Sequence, residues 1–400
     1  MTAFDKSGLL SSGLTQLMMR RPYVTFPVMR DYKVVYVPVL GEIMLKILAW
    51  FVLILLPVTA IAGQCAADNS VFHDAVLAVH HKQRNVGMGV VVLNAGQEIF
   101  SDYIGLADVE NNVPVTVDTQ FGIASITKLY TAALLLMYEA EGEIDLDATV
   151  QKYVSDFPTK REGDITVRML ATHTSGIPHP QAVRTPKLFA THYATAMEAL
   201  EVFRDDALLS TPGTSASYSS SNYNLLAAII EQIGGQRFTD IMEQTVFEPL
   251  GLDASSFDNV TRVLSHRARR YSFYRAWDYA ESDKLYTIPM WDYSFNTGGG
   301  NITATASDVA RFGAALVSPG LLKDEQFETI YNWFGDDAGA RFIYTSGANP
   351  GLQAGLAVYP EAQVSVSVLS NTWGIGSRSA EMTMLAQKLA EICITRNPKS

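Results

Sequence analysis

The chain has 400 residues, 48% of them hydrophobic and 18% charged, which is too apolar and too weakly charged for a disordered protein and long enough for two domains or one large domain with a subdomain. Against 30 basic residues stand 41 acidic ones, a net charge of −11 with no basic cluster, which excludes general affinity for nucleic-acid phosphates. The 7 His and 2 Cys follow no CxxC, HExxH or other ligand spacing, so no metal or cofactor is expected and a small disulfide scaffold is excluded.

In chain order, the strongly hydrophobic segment is Ile47 to Ile61, and no charge interrupts the run from Ile47 to Ala67. It is shorter than the roughly 20 residues of a spanning helix, contains Pro57, and leads into Ala60-Ile61-Ala62, a small-x-small cleavage pattern. Read from Met44, residues 44–62 form a complete signal peptide, which makes Met44 the expected start and residues 1–43 an unassigned extension. The competing reading is an uncleaved inner-membrane anchor, with Arg20, Arg21, Arg30, Lys33 and Lys46 held inside. A lipoprotein signal ending at Cys65 fits less well, because Gln64 fills a position that normally takes a small residue. Either main reading exports residues 63–400, to the periplasm or beyond.

After the leader, Val86 to Leu93 and Glu98 to Ile104 are β-rich runs joined by Asn94-Ala95-Gly96, a hairpin signal. Helical patterns follow over Lys128 to Glu141, Ile165 to His173, Asn222 to Ile233, Phe238 to Val246 and Ser307 to Leu316. Leu352 to Tyr359 and Val364 to Leu369 are again β-rich, and Ser379 to Ile394 forms a terminal helix. Strands at both chain ends with helices between them predict an α+β fold: an antiparallel sheet built from both ends, flanking helices and a mainly helical subdomain.

The chemistry concentrates at Phe121-Gly122-Ile123-Ala124-Ser125-Ile126-Thr127-Lys128. Ser125 is the only serine in the chain with a lysine three residues on. That spacing at a helix start places hydroxyl and ammonium on one face, where they can share a proton. A serine becomes nucleophilic when a neighbouring base takes its proton, and a lysine in an apolar helix has the lowered basicity this needs. The helix N-terminus also offers N–H groups to a developing oxyanion. No Gly-x-Ser-x-Gly elbow of an α/β-hydrolase is present.

FGIASITK, IDLDATVQKYVSDFP, ITVRMLATHTSGI and YSSSNYNLLAAIIEQIGG occur in order over the region Phe72 to Ile394. Together they resemble the serine β-lactamase-related family: class C β-lactamases, D,D-peptidases, related esterases and the mitochondrial β-lactamase-like protein. The resemblance implies a β-lactamase/transpeptidase-like fold and a serine hydrolase acting on a small-molecule or peptide substrate through an acyl-enzyme on Ser125. A family Tyr-x-Asn element falls on Tyr218-Ser219-Ser220, which implies Tyr218 as the second proton-transfer group and puts Ser220 where Asn is usual. Tyr223 is the competing tyrosine, with a core role as its alternative. The third element, Lys-Thr-Gly or His-x-Gly on a strand edge, falls on Thr345-Ser346-Gly347 and lacks its cation. Arg341, roughly 13 Å away along a strand, is a doubtful substitute. The N–H of Ala348 would pair with that of Ser125 as the oxyanion hole. In the family both chain ends pack beside one sheet, so Cys65 and Cys393 are expected either to form a disulfide or to stand as two thiols. Ser220 and Thr345 also keep open a penicillin-binding or sensor protein of the same fold that does not turn over.

Other features receive structural readings. His173 to Gly176 reads as a helix end stopped by glycine, and His80-His81 as a solvated helix end. Gly298-Gly299-Gly300 reads as a tight turn near the cleft mouth. The aromatic run from Tyr271 to Tyr279 reads as strand packing or cleft lining.

Overall fold

The computed structural model describes residues 65, 68–180, 186–275, 280–336, 341–373 and 380–395. The extension 1–43, the leader 44–62 with Met44 and its cleavage pattern, and Trp277 and Tyr279 lie outside the described residues. Among the described residues no helix is long and apolar enough to cross a membrane.

Helix α1 (Asn69–Gln83) starts at Asp68, whose carboxylate accepts the Ser70 N–H, and ends at Arg84 in the left-handed region. Strands β1 (Gly87–Asn94) and β2 (Gln97–Asp108) form the predicted hairpin, and β3 (Val113–Pro114) adds a short edge. The helical part contributes α2 (Thr127–Ala140), α3 (Val167–Ala171), α4 (Ser220–Gly234), the single turn α5 (Thr297–Gly300), α6 (Ala306–Leu316) and α7 (Asp324–Phe334). The chain returns through β4 (Gly335–Asp336), β5 (Phe342–Asn349), β6 (Leu352–Tyr359) and β7 (Val364–Ser370), and ends in α8 (Glu381–Thr395). The sheet is seven-stranded and antiparallel, in the order β3-β2-β1-β7-β6-β5-β4, so its centre joins the two ends of the domain as predicted.

Alternation along β7 sorts the two faces. Val364, Val366 and Val368 pack with Val90 and Val92 against Phe72 and Val76 of α1 and Leu385 and Leu389 of α8. Ser365 and Ser367 face the other way, and their hydroxyls donate to the Ala310 and Ala306 carbonyls of α6. Both faces are thus covered, which is why β1, β6 and β7 are buried along their whole length. The second core gathers α2 and α4, with Leu129, Leu134, Leu225 and Ile229 fully buried.

Several boundaries differ from the sequence reading. The expected Ile165–His173 helix shrinks to Val167–Ala171, because the Ile165 carbonyl accepts the Val150 N–H and Thr166 caps the helix through the Met169 N–H. The expected Phe238–Val246 helix continues through a π turn at Glu243–Phe247 to Leu250 and stops at Gly251 with φ 62°. Pro249 sits in the first turn of that last piece, where its missing N–H costs little. Helix α7, which the sequence pattern does not announce, leads directly into the sheet edge at β4.

Candidate active site

Short strand Phe121–Gly122 pairs with Thr303 and Ala304, after which the chain turns sharply at Ala124, a non-glycine residue at φ 44°. A 3-10 turn over Ala124–Ile126 then runs into α2. Three residues of helical spacing bring Lys128 beneath Ser125, and Lys128 Nζ donates to Ser125 Oγ at 3.2 Å. Lys128 is 2% exposed. Its ammonium also donates to Ser220 Oγ at 3.0 Å and to the Gly299 carbonyl at 2.5 Å. Burial pulls the lysine below its usual pKa, against the opposing pull of the Tyr218 phenol.

Tyr218 Oη lies 2.7 Å from Ser125 Oγ, with the tyrosine half exposed. Burial alone would raise its phenol; the Lys128 ammonium, with hydrogen bonds from Lys128, Ser125 and Ser220, outweighs burial and leaves it below the usual value. Lysine and tyrosine thus both lie below their ordinary values. Tyr223 is excluded from this position. It is wholly buried, its phenol donates to the Ala171 carbonyl at 3.0 Å, and burial drives its pKa far up. Ser220 meets Lys128 directly, so the hydroxyl in the Asn position keeps one of that residue's contacts.

Thr345, Ser346 and Ala348 line the same cavity as Ser125, Lys128 and Tyr218, with a volume of about 570 Å³. They lie on β5 beyond Ile343, where β4 no longer pairs with it, so this stretch is a sheet edge as predicted. Gly347 is required by proximity: a Cβ there would stand 2.0 Å from the Ile123 carbonyl oxygen. That contact seats the strand against the turn that carries Ser125. Arg341 does not replace the missing cation, because its guanidinium pairs with Glu328 at 2.6 Å and lies over the Tyr331 ring.

Three features escaped the sequence reading. Gly298–Gly300 is no turn at the cleft mouth; it is a buried turn pressed on α4, where a Cβ on Gly298 would come within 2.3 Å of the Tyr223 carbonyl oxygen. Its carbonyls at Gly298 and Gly299 receive Thr131 and Lys128. His173 is itself the left-handed residue after α3, at φ 59°, and lines the cavity. Trp333 and Phe334 form a wall that arrives with the unannounced helix α7. The run Tyr271 to Tyr274 is strand packing, with Tyr271 donating to Glu110. Among the described residues no group of three or more His, Cys, Asp or Glu side chains converges as a metal requires.

Residues 72–391 match the family model described as Beta-lactamase. The chain belongs to the beta-lactamase family. Among its relatives, the mitochondrial serine beta-lactamase-like protein LACTB of Homo sapiens is 29% identical over 309 residues, covering 60% of this chain and 55% of that protein. The D-alanyl-D-alanine-carboxypeptidase/endopeptidase AmpH of Escherichia coli K12 is 30% identical over 174 residues, 43% of this chain and 45% of that protein. The chain thus spans about half the length of these curated relatives. The octameric penicillin-binding protein homologue from Pyrococcus abyssi has the same fold, with a TM-score of 0.70 at 21% identity over 84% of this chain and 79% of that one.

Proposed function

We propose that the protein is an exported serine hydrolase that forms an acyl-enzyme on Ser125 and favours uncharged ester or amide substrates over those bearing a carboxylate. The observation that carries the reading is that Ser125 Oγ reaches both Tyr218 Oη, at 2.7 Å, and Lys128 Nζ, at 3.2 Å, at the floor of an open cavity. The Tyr218 phenolate, held by Lys128, takes the Ser125 proton as Oγ attacks the substrate carbonyl. The N–H groups of Ser125 and Ala348 receive the oxyanion, a contribution worth about a hundredfold to a thousandfold in rate per donor. Tyr218 returns the proton to the leaving group, then takes one from the water that cleaves the acyl-enzyme.

Among the described residues lining the cavity, Lys128 carries the only formal positive charge, and it is committed to Ser125, Ser220 and Gly299. A substrate carboxylate would therefore enter without a partner, whereas the Trp333 and Phe334 wall suits an apolar group. The leader, with the joined Cys65 and Cys393, favours an oxidising compartment outside the cytoplasm. Burst kinetics with a p-nitrophenyl ester and a chromogenic cephalosporin test the reading. The expected result is sustained ester turnover with a higher kcat/KM than for the cephalosporin. Release of one equivalent and no more would identify the non-turnover sensor instead.

A further inference from the structure

Tyr218 is aimed by the chain around it. The N–H of Ser217 donates to the His173 carbonyl at 2.8 Å, and that of Ser219 to His173 Nδ1 at 3.2 Å, so one residue grips the chain on both sides of Tyr218. The next N–H, from Ser220, donates to His179 Nδ1 at 3.1 Å. The two imidazoles also flank the phenol ring, with centroids 4.6 and 5.8 Å from it. An Nδ1 that accepts an N–H holds no proton, so both rings are neutral and carry hydrogen on Nε2. Asn222 Nδ2, 3.3 Å from His173 Nδ1, reinforces that state.

We propose that His173 and His179 are positioning residues that, as neutral imidazoles, hold Ser217 to Ser220 so that Tyr218 and Ser220 meet Ser125 and Lys128, and that protonating either ring releases this segment and turns the site off in acid. The proposal rests on the reading of Ser125 as nucleophile. Protonation would turn Nδ1 from acceptor to donor, facing another donor, and would add charge at the N-terminus of α4. Among the described residues, the titratable groups facing the pair are Lys128, Tyr218, Tyr223 and the two rings themselves. Burial and then the Lys128 charge hold both imidazoles below their ordinary value, His173 at about 4. The arrangement is therefore intact at neutral pH and is lost on the acid side.

The test uses the exported chain, p-nitrophenyl ester kinetics over the acid range, and the variants His179→Ala and His179→Asn. An Asn Oδ1 can still accept the Ser220 N–H but does not titrate. Expected are a fall of about fivefold in kcat for His179→Ala with KM unchanged, recovery in His179→Asn, and an acid limb for His179→Asn shifted to lower pH than that of wild type. Nitrogen-15 spectra of the imidazoles should show Nδ1 unprotonated in both residues at neutral pH. Wild-type kcat in folded His179→Ala, an unshifted limb in His179→Asn, or an Nδ1–H tautomer would overturn the proposal. Should His179→Ala fail to fold, the His179→Asn limb and the tautomers decide. Failure of Ser125 to take a fluorophosphonate label would instead overturn the nucleophile reading, while the tautomers still judge this one.

Discussion

At the scale of single residues, the site is organised by one buried cation. Lys128 is engaged inside the site by Ser125, Ser220, Gly299 and Tyr218, and Thr345 brings none of the charge that the third family element usually carries. A charge-assisted hydrogen bond is worth about tenfold to a hundredfold in rate. Thr345→Lys should therefore raise kcat/KM for a cephalosporin relative to a p-nitrophenyl ester by about that factor; an unchanged ratio would mean that the missing cation is irrelevant or supplied elsewhere. The closeness of Ser125 and Lys128 is legible because three-residue spacing on a helix is local geometry, and the position of Tyr218 because four sequence blocks mark it. The Gly299 carbonyl and the imidazoles of His173 and His179 are not, since each acts as an acceptor for a group brought to it by tertiary packing, which no local spacing encodes.

At the scale of elements, strands are legible because two-residue alternation and turn residues mark them, as at Leu352–Tyr359. Helix ends are less so. The cap at Thr166 and the π turn at Glu243–Phe247 set two boundaries that periodicity does not mark, and the pattern does not announce the amphipathic α7, which builds the cleft wall. The contact that matters most for chemistry lies between elements: β5 meets the turn before Ser125 at Gly347, and a methyl group there would overlap the Ile123 carbonyl. Gly347→Ala should force the two apart, remove Ala348 from the oxyanion position, and reduce ester kcat by at least a hundredfold while near-UV circular dichroism stays native. Near-wild-type kcat in that variant would contradict the assigned strand.

At the scale of the whole molecule, the sheet is built from both ends of the domain, and the ends are tied beside it. Cys65 and Cys393 are joined with their Cα atoms 4.8 Å apart, closing a separation of 328 residues. A loop of that length should stabilise the fold by up to about 6 kcal/mol in the chain-entropy treatment, so reductant should lower Tm by several degrees. The leader reading meets the same bond, because cleavage after Ala62 leaves Cys65 near the new N-terminus. One intact-mass measurement on protein from the native host's envelope reads both: a chain beginning at Gly63 and short of two hydrogens is expected. A chain retaining residues 1–62, or two free thiols in the non-reduced protein, would contradict the corresponding half.

The central claim is that Ser125 carries the acyl group, and mapping a covalent adduct tests it most directly. After reaction with a fluorophosphonate probe, peptide mass spectrometry should place the label on Ser125 in wild type, find none in Ser125→Ala, and show labelling slowed by orders of magnitude in Lys128→Ala. An adduct on any other serine, or undiminished turnover by Ser125→Ala, would contradict it.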